Sequence, residues 1–504
     1  MSSSLMIGPL LGVESDTDYT VCFLTDKTVS SATVIMDDIS VQATQIQTTP
    51  KGYFWRVEAE IPANSSGKFV SYTINLNNNK ANDKHGRDRW TFYVPGLDEK
   101  PIFAYTSCNG FSSADILTKT ENPYALWEDM QRKHYQQPFS ILMMGGDQLY
   151  ADEIWSAVPE LEKWLQLTKV EKTSRTFNAT MRDQVNRFYE KLYCQRWDNP
   201  SMSLMMASIP TVMMWDDHDI FDGWGSYPEE MQQCDVYQGV YDIAKRYFEL
   251  FQIRSSKNIS LLDNQAKHYA FAFLFRDYHI LALDNRAERT LEQVMSFSQW
   301  QMVNDYLDNK VNNGDLLVMS AVPVVYRDFS FTEASFDVTP WEEELTDDLK
   351  DHWRSKEHQG ERARLIMRLL QNAEKRYNIK SQHQKTVILS GDVHLGCLGV
   401  INDSRKHDRP LKIHQVVSSG ILHPSPSRIA WLGIMAVTND RDEFLNEDET
   451  IKISMLKPFG SDQYIRARNY LTLEEGTDDK LWVNWITEDM CRGETFDQPL
   501  YPIA

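Results

Sequence analysis

The spacing of apolar positions divides the chain into two regimes. Up to about residue 97 the apolar residues fall in short β-branched or aromatic runs: "YTVCFLT", "ATVIMDD", "GYFWRVEAEI", "VSYTINLN" and "RWTFYVPG". Polar, turn-rich stretches such as "NNNKANDKHG" separate them, and none has helical spacing. Short strands at this interval predict a small all-β sandwich of the immunoglobulin or fibronectin kind over 1–97. "VPGLDEKP" then reads as a boundary, and the rhythm changes. Apolar strands ("IFAYTSC", "FSILMM", "IPTVMMW", "LLVMSAVPVV", "KTVILSGDVH", "IHQVVSSG") alternate with segments of helical period, among them 122–137, 178–195, 236–253, 296–311 and a long stretch around 348–379. The run 268–286 reads as two strands joined at Arg276-Asp277, and 463–487 again alternates as strands do. This order predicts a layered α/β domain over 98–504.

Composition narrows the class. A length of 504 residues exceeds one ordinary core, at roughly 150 residues per domain. The hydrophobic share of 42% and the charged share of 25% are those of a globular protein. The net charge of −20 opposes binding to nucleic acid and to anionic membranes. It leaves room for an anionic small-molecule substrate, because bound cations can reverse the local field. The N-terminus lacks the basic start of a secretory signal, and no apolar run is long enough for a membrane span. Six scattered cysteines without paired spacing point to free thiols, and with them to a cytoplasmic location.

Four strand ends carry reactive side chains: "SCNG" at 107–110, "GGDQLY" at 145–150, "WDDHD" at 215–219 and "GDVH" at 391–394. In "ILMMGGDQLY" the apolar run Ile141 to Met144 is stopped by Gly145 and Gly146, which puts Asp147 and Tyr150 on the loop at the strand's carboxyl end. Ligands of open α/β sheets bind at that edge. The residue types are thiol, carboxylate, phenol and imidazole, a mixture that suits metal ions. Cys108 and Tyr150 would be deprotonated beside a strong Lewis acid such as iron, whereas the Asp oxygens suit calcium, magnesium or manganese. Two adjacent ions sharing one carboxylate would match the two-metal scheme of phosphoryl hydrolysis. His218 could then protonate the leaving oxygen, with Asp219 beside it to orient the ring. Taken singly, each residue has a plainer reading: Asp147 as a turn cap, Cys108 as a small apolar group, Tyr150 as a half-buried ring. Four titratable groups in "DDHD" directly after "TVMMW" are harder to leave without a role.

Taken together and in this order, the loops resemble the PhoD-like alkaline phosphatase and phosphodiesterase family of calcineurin-like metallophosphatases. The motifs stand here as Ser107-Cys108, Asp147 to Tyr150, Asp216 to Asp219, Leu283 to Arg286 and Asp392 to His394. Asp351 and Trp353 resemble the family's D-x-W segment, and "GPLLGVES" resembles the start of its leading β-sandwich. The resemblance implies a metallophosphatase-type α-β-β-α sandwich behind a small all-β domain. It also implies a metal-dependent phosphomonoesterase or phosphodiesterase. In that reading Asp147 bridges two ions, Cys108 and Tyr150 bind ferric iron, and Asp217 replaces the usual metal-binding Asn. Asp392 replaces a histidine and turns the second ion towards calcium, with manganese, magnesium or zinc as other occupants. His394 is a further ligand, His218 with Asp219 the acid, and Arg286 a phosphate-orienting residue. Two readings stand beside it: a non-catalytic binding or scaffold protein that kept the fold, and a hydrolase of non-phosphate esters.

Overall fold

The computed structural model describes residues 4–37, 39–327, 353, 355–405, 410–458, 462–491 and 500–504. Two sheets carry the chain. Across the first, the strands run in the order Leu500–Ile503, Leu481–Thr487, Asn469–Glu475, Phe103–Thr106, Ile141–Gly145, Thr211–Met214, Ile7–Val13, Asp18–Asp26, Gly52–Glu60 and Thr44–Thr48. Across the second the order is Phe271–Phe275, Tyr278–Ala282, Asp315–Met319, Thr386–Ser390, Leu411–Ser418, Gly396–Asp403, Ile451–Leu456 and Glu443–Phe444. Each sheet has a parallel centre: Phe103–Thr106 with Ile141–Gly145 and Thr211–Met214 in one, and Tyr278–Ala282 through Leu411–Ser418 in the other. Parallel strands are buried on both faces and read as continuous apolar runs, which is why "ILMMG", "TVMM" and "TVILS" contain no inward–outward alternation.

Successive side chains of one strand serve different layers. Tyr105, Met143 and Met214 of the first sheet share a buried cluster with Ile280, Leu317, Met319 and Leu389 of the second, so the sheets pack face to face. Ala104, Leu142, Met144 and Met213 point the other way, onto Leu126, Trp127 and Met130 of helix Ala125–Gln136 and onto Met202, Met205 and Met206 of helix Pro200–Ser208. On the far side of the second sheet, Leu281, Leu316, Val318 and Ile388 meet Trp300, Val303 and Leu307 of helix Phe297–Asn309 and Leu365 and Leu369 of helix Gln359–Lys380. The result is the helix–sheet–sheet–helix sandwich.

The strands of the first hundred residues divide. Ile7–Val13 lies parallel to Thr211–Met214 and, with its neighbours Asp18–Asp26, Gly52–Glu60 and Thr44–Thr48, lengthens the first large sheet. Ala32–Met36, Ile39–Gln42, Lys68–Leu76, Asn79–Lys80 and Trp90–Val94 form a separate five-stranded sheet. Its Val34, Tyr72, Trp90 and Phe92 join Val21, Phe23 and Trp55 in the core. Of the stretch expected to be helical around 348–379, residues 348–352 and 354 lie outside the described residues, and a helix spans Gln359–Lys380. Among the described residues no helix is long and apolar enough to cross a membrane.

Candidate metal centre

The loops at the carboxyl ends of the two parallel centres meet at a common edge, where Ser107 Oγ donates to Ser418 O at 2.9 Å. There the loops after Thr106, Gly145, Met214, Ser390 and Ser418 converge. Gly145 lets the second strand pass the Tyr105 hydroxyl, which a Cβ would strike, and Gly146 turns the chain at φ +107°. Cys108, Asp147, Asp392 and His394 all have left-handed backbones, with φ of 50°, 54°, 69° and 51°, a conformation that non-glycine residues adopt mainly in turns and at functional sites. Main-chain bonds hold two of these turns together: Cys108 N–H donates to Gly146 O at 3.2 Å, and Asn109 N–H to Asp147 O at 2.7 Å.

Two sets of donor atoms form, each within 4.8 Å: Cys108, Asp147 and His394, and Asp147, Asp217 and His218. Asp147 is common to both. It is 1% exposed, its Oδ2 accepts from the Cys108 thiol at 3.4 Å, and its Oδ1 meets no hydrogen-bond partner. A buried acceptor left without a donor is costly. The Tyr150 hydroxyl joins the first set through His394 Nε2 at 3.1 Å.

Electrostatics bear on what this arrangement could hold. Burial, followed by the Asp216, Asp217 and Asp219 charges, pushes the Asp147 carboxyl well above the usual range. Burial and Asp147 raise the Cys108 thiol likewise, and burial with Cys108 and Asp147 raises the Tyr150 phenol. Burial, with His423 and His218 nearby, drives His394 towards its neutral, ligating form. Acidic groups crowded in a buried site with an orphaned oxygen fit a cation, which would return each of them to its ionised form.

Asp152 is the residue that sequence reasoning missed at His218. His218 Nδ1 lies 2.9 Å from Asp152 Oδ2, and Asp152 Oδ1 accepts from Asp222 N–H at 2.8 Å. A carboxylate only accepts, so Nδ1 carries the proton and Nε2 is left for the site. Burial would lower His218, but Asp152, Asp217 and Asp147 outweigh it and raise the imidazole well above its ordinary value. Asp219 does not orient the ring as expected. Its carboxylate is turned inward and accepts from the amides of Asp216, Gln148 and Leu149 and from Gln252 Nε2, at 2.9–3.2 Å. Asp216 and Asp219 cap the short 3₁₀ turn that presents His218, and the three-residue spacing of a capping box was a signal for this in the sequence.

Arg286 forms the salt bridges that an arginine after a strand often makes. It is fully buried, pairs through Nε with Asp216, donates from Nη1 to Trp224 O at 3.1 Å, and stands 3.4 Å from Asp217 Oδ1. It braces two carboxylates of the donor turn. Asp217 also accepts from Gly223 N–H at 2.8 Å. Asp392 belongs to neither donor set; its half-buried side chain lies at their margin, and its backbone carbonyl stands 3.9 Å from Cys108 Sγ. Asp351 lies outside the described residues, whereas Trp353 is buried and donates to Ser320 Oγ at 3.2 Å. Two more contributors come from the loop after Ser418. Ser419 Oγ lies 3.0 Å from Cys108 Sγ and accepts from His394 N–H at 2.8 Å, and His423 stacks beside His394.

Residues 79–340 match the family described as PhoD related phosphatase, more than half of the chain. The chain belongs to that family. The overall architecture of this PhoD-related chain is similar to that of PhoD itself (TM-score 0.58, 14% identity, covering 99% of this chain and 89% of that one). It is also similar to the purple acid phosphatase PPD1 of yellow lupin, Lupinus luteus (TM-score 0.51, 10% identity, 98% and 74%). At these identities the likeness establishes the metallophosphatase fold with its β-sandwich. An uncharacterized protein of Saccharomyces cerevisiae is 28% identical over 408 residues, covering 69% of this chain. The PhoD-related chain spans 56% of that relative's length.

Proposed function

We propose that the chain hydrolyses phosphoric esters, monoesters or diesters, at two cations held on a shared Asp147. The observation that carries this reading is the membership of Asp147 in both donor sets, with one buried oxygen lacking a partner. Cys108, Tyr150 and His394 complete the set suited to ferric iron. Asp217, with Asp392 at its margin, supplies the harder oxygens suited to calcium, or to manganese, magnesium or zinc. The ions would contribute Lewis acidity towards water and phosphoryl oxygen.

The chain's own residues divide the rest of the work. Asp152 keeps the proton on Nδ1 of His218 and fixes the plane of its ring. His218 Nε2 then hands a proton to the oxygen of the leaving alcohol, and Asp152 stabilises the cationic ring before transfer. Arg286 holds Asp216 and Asp217 in place as counter-charge. Asp219 locks the turn. Residues 98–504 supply the catalytic side chains in this reading, and 1–97 extend the first sheet and add the separate five-stranded one.

The test is metal analysis of the purified chain together with hydrolysis of p-nitrophenyl and bis-p-nitrophenyl phosphate, before and after chelation. Two ions per chain and turnover that chelation abolishes are expected. Metal-free protein that turns over equally well would sink the proposal, as would a metal-loaded chain inert towards both esters. A visible charge-transfer band is expected from a Tyr150–iron bond, and a colourless zinc-only protein after iron-replete expression would refute the iron assignment.

A further inference from the structure

The loop that follows strand Leu411–Ser418 belongs to none of the motif series, yet it is laid directly over the site. Gly420, at φ +82°, turns it towards the first sheet. Ile421 N–H then donates to Ser107 O at 3.1 Å, and Leu422 and His423 N–H both donate to Cys108 O at 3.4 and 3.3 Å. A loop from one sheet is thereby sewn onto a donor loop from the other.

His423 is held at both ends by groups outside the donor sets. Its Nδ1 lies 3.0 Å from the Pro424 carbonyl, which only accepts, so Nδ1 carries the proton. Its Nε2 lies 3.3 Å from Ser112 Oγ. With both nitrogens engaged, the ring offers the centre its flat face. That face is stacked on His394, with centroids 3.7 Å apart and planes 22° apart, and lies 5.4 Å and 17° from Tyr150. Tyr150 is stacked in turn on His218 at 4.3 Å. His394 and Tyr150 are the two donors whose polar tips meet at 3.1 Å, and the face of His423 is one of the surfaces that set the planes of both rings. A donor set binds well only when its rotamers are fixed in advance by packing.

We propose that His423 is a positioning residue, its imidazole serving as the plate that fixes the ring planes of His394 and Tyr150 so that their donor atoms converge on Cys108 and Asp147. The inference rests on the metal-centre reading above, and its test separates the two. Metal-free wild type, His423→Ala and His423→Phe are titrated with cobalt(II), whose visible bands report the geometry of its ligands. The Ala variant is expected to bind cobalt about 10–100-fold more weakly at the Cys108 set, the usual cost of losing a residue that orients a ligand, and with shifted bands. The Phe variant, which restores a flat ring without the polar bonds, should recover most of the affinity and the wild-type spectrum. Wild-type affinity and spectrum in the Ala variant would overturn the proposal. So would a Phe variant as impaired as Ala, which would move the role to the hydrogen bonds. If wild type itself takes up no cobalt, the metal-centre reading fails, and crystal structures of metal-free wild type and His423→Ala decide the positioning role alone. Displaced His394 and Tyr150 rings uphold it, and unmoved rings refute it.

Discussion

Replacing Asp147 by Asn should move metal-free and metal-loaded stability in opposite directions. The side chain is 1% exposed and the substitution keeps its size, so packing changes little. Burial and the Asp216, Asp217 and Asp219 charges raise the Asp147 carboxyl well above its ordinary value. A raised carboxyl binds its proton more firmly in the folded state than in the unfolded one, where the value is about 3.9. Stability is therefore complete below about pH 4 and is lost as pH rises through the folded value. The amide carries no such loss, so metal-free Asp147→Asn should be at least as stable as metal-free wild type at pH 8, with the advantage gone near pH 4. Metal reverses the order. A site filled at a hundredfold excess over Kd adds about 2.7 kcal/mol, and two sites about twice that. With the shared anion gone, the variant should keep less than half of the gain. Its kcat should fall by more than the roughly 100-fold that loss of an outer partner costs. Chemical denaturation at pH 4 and pH 8, with and without metal, reads both signs, and metal content is measured alongside. A variant that takes up two ions, gains as much stability as wild type and turns over normally would refute the bridging argument. A metal-free variant clearly weaker than wild type at pH 8 would refute its electrostatic half.

Asp152→Asn should lower kcat on an alkyl phosphate by about 10²–10⁴-fold, the usual worth of general acid help. It should do so far less on p-nitrophenyl phosphate, whose leaving group needs little protonation, and with metal content unchanged; equal losses on both esters would show that Asp152 does not act through His218. Arg286→Met should cost roughly 3–5 kcal/mol in chemical denaturation, because Asp216 and Asp217 lose the buried cation that faces them. A loss well under 1 kcal/mol would mean the carboxylates do not depend on it. His134 is lowered to about 4 by burial, and its Nδ1 accepts from Phe139 N–H at 3.1 Å. The unfolded chain takes up that proton first, near pH 6.5. Stability should therefore be full above 6.5 and fall by roughly 3 kcal/mol between there and pH 4. His134→Asn should flatten that slope, and an unchanged slope would place the acid sensitivity elsewhere.

The strands and the donor loops were legible in the sequence because they obey local rules: an apolar run buried on both faces, a glycine break, then a polar loop at the carboxyl end. Cys108, Asp147, Tyr150, Asp217 and His394 could be picked out on that basis, and the structure gathers them at one edge. What local pattern does not carry is which distant group stands behind each of them. Ile7–Val13 reads as a sandwich strand, and only its pairing with Thr211–Met214 makes it part of the first large sheet. Asp219 is the neighbour of His218 in the chain, but the 3₁₀ turn rolls it underneath, and Asp152, from the preceding donor loop, takes its expected place. Arg286 follows a strand like any surface arginine, and its depth comes from the packing of Trp224 and Asp216 around it.

The left-handed backbones at Cys108, Asp147, Asp392 and His394 were equally hidden, since only glycine announces such a turn. Their cost bears on whether the centre still works. A left-handed non-glycine residue gives up about 1–2 kcal/mol, and the crowded Asp147, Cys108 and Tyr150 add the penalty of buried acids. Glycine at these positions would remove the strain, and apolar side chains the acid penalty. A chain serving only as a scaffold would be more stable for either change, and nothing in the packing of the two sheets requires the thiol, the phenol or the orphaned carboxylate oxygen. Strain and repulsion concentrated on the donor residues, in a fold otherwise built from unbroken apolar runs, are what a binding site costs when its return comes only with the ligand. That asymmetry weighs against the scaffold reading and for a centre that is completed by metal.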